Sequence, residues 1–152
     1  MRKKFVTIIL SVIAFSMAAS AVVLLFAGCP GKTPEPELEI VNESFEIEWF
    51  SRERYTVTAA GSVRNVGDVD VENLVISGGC PSCGSSFRQG YWYEPAREKI
   101  NEEKALIHRL PAGSQADFAF SGLSYYPTGG GDSPDEMPEE LEIYIKSYEL
   151  SQ

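Results

Sequence analysis

Between Tyr55 and Arg64, Tyr55, Val57, Ala59, Gly61 and Val63 occupy one parity and Thr56, Thr58, Ala60, Ser62 and Arg64 the other. A period of two over ten residues rich in β-formers is the pattern of a strand with one face buried. A strand of that kind needs a second apolar layer against it, so this stretch commits the chain to a packed sheet. The same period recurs on both sides. Leu38 and Ile40 share one parity, while Phe45, Ile47 and Trp49 share the other. The shift across Asn42-Glu43-Ser44 predicts a bulge or a change of sheet. Asn65-Val66-Gly67-Asp68 reads as the turn closing the first strand, with Asn65 capping it and Gly67 free to take positive φ.

Further strands are expected over Val69–Ser77, ending at Gly78-Gly79, and over Phe87–Tyr93, Ala105–Leu110 and Ala116–Ser121. A last strand carries Leu141, Ile143 and Ile145. Pro95–Lys104 has helical composition, with Pro95 suited to a first helical position, and predicts one or two turns. Tyr125–Glu140 is loop-like, punctuated by Pro127, Gly129-Gly130-Gly131, Pro134 and Pro138. About seven short strands in roughly 110 residues is the arithmetic of an immunoglobulin-like β-sandwich. The fold class expected is all-β, over residues 38–152, preceded by an N-terminal hydrophobic signal or anchor helix.

That N-terminal segment sets the compartment. Met1-Arg2-Lys3-Lys4 is a positive start, and the 23 residues from Phe5 to Ala27 carry no charge. As a helix this run would span about 34 Å, enough to cross a bilayer. Residues 1–28 read either as a retained single-pass anchor or as a cleaved signal. Ala27-Gly28-Cys29 resembles the lipobox of prokaryotic lipoproteins, although Phe26 stands where Leu is usual. The resemblance implies cleavage before Cys29 and lipidation of its thiol. Either way the positive end stays inside, and the remainder faces outward on the extracytoplasmic side of a cell membrane. Residues 29–37 follow as a Pro-rich linker, with Pro30, Pro34 and Pro36 favouring an extended spacer.

The formal charge is −9, and residues 1–28 hold three of the basic residues and none of the acidic ones. Such acidity argues against a nucleic-acid partner and against a peripheral grip on anionic lipid. It leaves a membrane tether, with another surface protein or a glycan as the partner.

Gly61, Val63, Asn65 and Gly67 meet a G-x-V-x-N-x-G pattern, and Leu110-Pro111-Ala112-Gly113 followed by Phe118 meets a later L-x-x-G-then-aromatic-strand pattern. In these the chain resembles the CARDB and FxLYD-type domains, immunoglobulin-like modules of prokaryotic surface proteins. The resemblance covers most of Phe45–Tyr148. Two stretches, Cys80–Lys104 and Tyr125–Glu140, are longer than that pattern and are where a specific activity would sit.

Chemistry-bearing residues fall in those stretches. Cys80-Pro81-Ser82-Cys83 has the spacing of a thioredoxin-like redox motif. Such a motif needs its first Cys at a helix N-terminus, and Gly84-Ser85-Ser86 starts none. A structural disulfide suits an oxidising compartment better. Cys29 is committed elsewhere and His108 is the sole histidine, so a four-ligand zinc site is not assembled. Tyr91, Trp92, Tyr93, Tyr125 and Tyr126 would either grip a sugar or partner protein or cover the end of the sandwich. Asp132, Asp135 and Glu136 head an acidic run through Glu142 that is a solvated surface or, failing that, a calcium loop. No other cofactor is implied. Asn42-Glu43-Ser44 is a glycosylation sequon. No Gly-x-Ser-x-Gly elbow or other catalytic set is present. The reading is a non-catalytic binding or assembly module. The alternatives are a thiol–disulfide redox protein using Cys80 and Cys83, and a carbohydrate- or calcium-dependent adhesion domain.

Overall fold

The computed structural model describes residues 35–51, 53–129 and 133–151. The signal or anchor segment, Cys29, the start of the linker and Asp132 lie outside the described residues. Among the described residues, no helix is long and apolar enough to cross a membrane.

Seven strands are described: β1 Leu38–Ser51, β2 Arg54–Asn65, β3 Val71–Gly79, β4 Ala105–Leu110, β5 Gln115–Phe120, β6 Tyr125–Pro127 and β7 Glu142–Leu150. They form two antiparallel sheets. One has the order β1-β2-β5, with β6 also pairing β2; the other has the order β4-β3-β7. This is an all-β, two-layer arrangement. Val57, Ala59 and Val63 of β2 and Phe118 and Phe120 of β5 meet Leu74 and Ile76 of β3, Ala105 and Leu110 of β4, and Leu123 in one buried cluster. The parity read for Tyr55–Val63 is the inward parity: Val57, Ala59 and Val63 are fully buried.

The phase change at Asn42-Glu43-Ser44 is a bulge. β1 stays in one sheet, its register against β2 shifts between Val41 and Ser44, and Asn42 takes φ 57°. β3 contains an unforeseen shift of the same kind. Val71 is buried, Asn73 takes φ 49°, and inward positions resume at Leu74 and Ile76.

The turn after β2 is built on Asn65, which is fully buried. Its Nδ2 donates to the carbonyls of Val69 (2.8 Å) and Leu110 (3.1 Å), and its Oδ1 accepts the Gly67 N–H (3.1 Å). Gly67 is needed for a reason other than positive φ, which it does not adopt. A Cβ there would stand 2.5 Å from both Glu35 O and Glu37 N. The end of the expected linker is therefore docked, with Glu37 O accepting the Val66 N–H at 2.7 Å.

Two expected elements are corrected. Phe87–Tyr93 is not a strand but a run of turns in which Tyr93 alone makes isolated bridges, to Gly84 and Tyr125. Pro95–Lys104 holds only a 3-10 turn, Asn101–Glu103. Its charged side chains are used across the fold instead of along a helix: Lys99 pairs with Glu94, and Arg97 with a buried Glu103. The Tyr125–Glu140 stretch opens with β6. Gly122, at φ +81°, lets the chain jog after β5 and pair with β2 a second time.

Candidate functional site

β1 and β2 pair from Leu38↔Asn65 at one end to Ser51↔Arg54 at the other. Both long excursions gather at the second end. There β6 lies on Arg54–Thr56, and Tyr93 exchanges backbone hydrogen bonds with Tyr125 in both directions, each 2.9 Å.

The first excursion leaves β3 through a tight turn. Cys80 and Cys83 form a disulfide with Cα atoms 5.3 Å apart, and the Cys83 N–H donates to Cys80 O at 3.0 Å. Cys80 is almost fully buried and Cys83 partly exposed. No helix starts at either. The nearest charged group to the Cys80 backbone is the Glu94 carboxylate, which accepts its N–H at 2.7 Å. Gly84 N–H then donates to Trp92 O (3.2 Å) and Glu94 N–H to Gly84 O (2.9 Å), which closes the excursion on itself.

Glu103 anchors its far end. Its Oε1 accepts from Arg97 Nη2 and Tyr125 Oη, each at 2.6 Å. Its Oε2 accepts from Arg97 Nη1 at 2.9 Å and the Ile100 N–H at 3.0 Å. Burial pushes the carboxyl pKa up, but Arg97, the Tyr125 hydroxyl and the Ile100 N–H outweigh it and hold the group below its ordinary value. Burial and the same carboxylate push the Tyr125 phenol pKa up. Lys99 Nζ completes the clamp, donating to Leu123 O at 2.8 Å.

The second excursion hangs from the first at two points. Trp92 Nε1 donates to Glu136 O at 3.0 Å, and Ser82 Oγ accepts the Glu140 N–H at 3.0 Å. Residues 136–139 thus form one wall of a cleft of about 600 Å³. Glu136, Met137 and Glu139 line it together with Arg88, Tyr91 and Trp92. Arg88 Cζ sits 4.1 Å over the Tyr91 ring, and Trp92 packs on Tyr126 with ring centres 5.3 Å apart. A second, more open hollow of about 530 Å³ is lined by Cys80, Cys83, Glu94 and Arg97 among others.

The five aromatic candidates divide by position. Tyr91 is 54% exposed, Trp92 and Tyr126 are half-buried, and Tyr93 and Tyr125 are buried. Tyr93 and Tyr125 therefore support the cleft from beneath and offer no ring face to a ligand. Exposed Phe87 and Phe50 extend that support outward, against Tyr93 and Tyr125 respectively. Sequence reasoning passed over Arg88 and Met137, named Ser82 only as part of the Cys80–Cys83 motif, and counted Glu139 only in the acidic run. The one available signal was Arg88 three residues before Tyr91.

Asp135 and Glu136 are exposed, and among the described residues no three His, Cys, Asp or Glu side chains converge to hold a metal ion. Asn42 is exposed at the β1 bulge, and His108 is exposed on β4. Asp70 is engaged by Arg109 (2.8 Å) and the Ala112 N–H (2.9 Å), which hold its carboxyl below the ordinary range. No known family model matches this chain, and no curated protein sequence matches it.

Proposed function

We propose that the chain is a membrane-tethered, extracytoplasmic, non-catalytic binding module of a prokaryotic cell surface, with an immunoglobulin-like sandwich as scaffold and the cleft between its two excursions as the contact surface. The observation that carries this reading is the cross-locking of the excursions through Trp92–Glu136 and Ser82–Glu140. Loops that served only as connections would need no such bracing, whereas a recognition surface gains affinity from being preorganised. The strand order supports the immunoglobulin-like assignment. β1-β2-β5 and β4-β3-β7 correspond to an A-B-E layer facing a C′-C-F layer. The cleft also lies at the end of the sandwich remote from Leu38, about 45 Å along a 14-residue strand. That is the natural place for a contact surface on a domain tethered through its N-terminus. Exposed Tyr91 with Arg88 on one wall and Glu136 with Glu139 on the other suits a partner offering both apolar and hydrogen-bonding groups, a protein loop or a glycan.

Two measurements test the reading. Intact mass of the chain extracted from its own membrane is expected to show cleavage before Cys29 with added acyl mass. A photo-crosslinking side chain placed at Tyr91 is expected to give a discrete adduct on whole cells, and the same group at exposed Leu106 of β4 none. Equal labelling at both positions, or none at either, removes the cleft as the contact surface.

A further inference from the structure

We infer that the Cys80–Cys83 bond is a thiol–disulfide exchange site that gates the cleft, with Ser82 as the mechanical link; the gating, though not the exchange, rests on the cleft reading above. Three observations meet at this turn. Ser82 lies inside the ring closed by the disulfide, and its hydroxyl is bonded to the backbone of Glu140, accepting the N–H at 3.0 Å and facing the carbonyl at 3.4 Å. Glu140 directly follows the segment 136–139 that forms one wall of the cleft, and the other end of that segment hangs from Trp92 at Glu136. The disulfide itself lines the second, more open hollow, with Cys83 the more exposed residue of the pair and Cys80 almost fully buried.

A thiolate entering that hollow attacks Cys83 Sγ. The Cys80–Cys83 bond breaks, a mixed disulfide forms at Cys83, and Cys80 Sγ leaves as a thiolate that takes a proton from water. A second thiol attacks the reductant's sulfur in the mixed disulfide and releases the Cys83 thiol. The chain has then gained two electrons and two protons, and two thiols have become one disulfide. The co-reactant class is a monothiol or a dithiol protein small enough at its tip for the hollow. With the bond open, Pro81-Ser82 is free to leave the conformation that aims Ser82 Oγ at Glu140, and the wall loses that tie while keeping Trp92 and the packing of Met137 on the core.

Hydrogen exchange of the full chain in detergent, read by mass spectrometry, tests this. Millimolar monothiol without denaturant is expected to reduce the pair, shown by two new alkylatable thiols. Exchange over residues 136–140 should then speed up about tenfold while amides of β2 stay unchanged. Ser82→Ala, with the disulfide intact, should loosen the same stretch, and Cys80→Ser with Cys83→Ser should match the reduced chain. A bond that resists thiol until β2 also exchanges overturns the exchange site. Unchanged 136–140 exchange after reduction, or in Ser82→Ala, overturns the gate. If the wall loosens as expected but Tyr91 crosslinks nothing in either redox state, the gate stands and the cleft is not the contact surface.

Discussion

Glu103 is 3% exposed and accepts four hydrogen bonds, from Arg97 twice, Tyr125 Oη and the Ile100 N–H. Glu103→Gln is the informative perturbation because it keeps the shape and removes only the charge and one acceptor. Both carboxylate oxygens face two donors each, so the amide NH₂ meets a donor whichever way it is turned. One orientation sets it against Arg97 Nη2 and Tyr125 Oη, the other against Arg97 Nη1 and the Ile100 N–H. Arg97 is 45% exposed in its side chain and recovers hydration, so the buried ion-pair penalty does not apply in full. What remains is a buried donor left facing a donor plus lost charge-assisted bonds, about 2–3 kcal/mol together. That is a large part of an ordinary domain stability of about 5–15 kcal/mol, and it corresponds to a fall in melting temperature of roughly 10 °C. Tyr125→Phe removes the orphaned hydroxyl as well. The double variant should therefore lose less than the two single losses added. Thermal and urea unfolding of the four chains provides the cycle. A Glu103→Gln chain melting within about 1 °C of the parent, or strict additivity in the double variant, would refute the network as the clamp holding the excursion on β6.

The same group predicts a pH dependence with a definite sign. Its folded pKa lies below the ordinary glutamate value, so its contribution is complete above that value and disappears as pH falls through the folded one. Acid titration of the melting temperature should show a steeper fall in the parent than in Glu103→Gln. Reducing the Cys80–Cys83 bond should cost about 2 kcal/mol or less, since the loop it closes is so short, measured as a shift in the urea midpoint at unchanged slope. Gly67→Ala forces a Cβ to 2.5 Å from Glu35 O and Glu37 N and should destabilise by about 1–3 kcal/mol. Its exchange signature should be confined to residues 35–37 and the Asn65–Asp68 turn. Asn65→Ala, which strips a buried side chain of three hydrogen bonds, should cost at least as much and loosen the start of β3 as well.

Most strands were legible because their signal is local, whereas β6 was read as loop and Phe87–Tyr93 as a strand it is not. Parity along Tyr55–Val63 names the buried face without knowing what it meets, and the phase break at Asn42-Glu43-Ser44 marks the bulge. Asn65 was legible as a turn cap because its bond to Gly67 is two residues away, but its bond to Leu110 O joins parts of the chain 45 residues apart. Pro95–Lys104 misled for the same reason. Its composition favours a helix, yet Lys99 is spent on Leu123 O and Glu94, and Glu103 on Arg97 and Tyr125, partners that a helical reading does not supply. Tertiary pairing overrode propensity there. The reason for Gly67 lies in the segment docked against it, which no pattern within the turn reveals.

The candidate site was half legible, and the missing half explains how it works. Tyr91-Trp92-Tyr93 announces an aromatic cluster, but three adjacent rings cannot all face one way. Their assignment is settled by where each backbone is pinned. Tyr93 is stitched to Tyr125 and turns inward, which puts Trp92 on Tyr126 with its N–H toward Glu136 O, and leaves Tyr91 outside under Arg88. The exposed ring is thus held by a chain of contacts ending in Glu103 at the base of the fold. Two bonds, Trp92 to Glu136 and Ser82 to Glu140, cross between the excursions and join residues 44 and 58 positions apart in sequence. A surface braced in this way loses little conformational freedom when a partner arrives. It follows that Trp92→Phe, which keeps an aromatic ring beside Tyr126 but removes the N–H to Glu136 O and trims the packing on the core, should lower the melting temperature modestly and weaken crosslinking at Tyr91 in the proposed cleft by freeing residues 136–140.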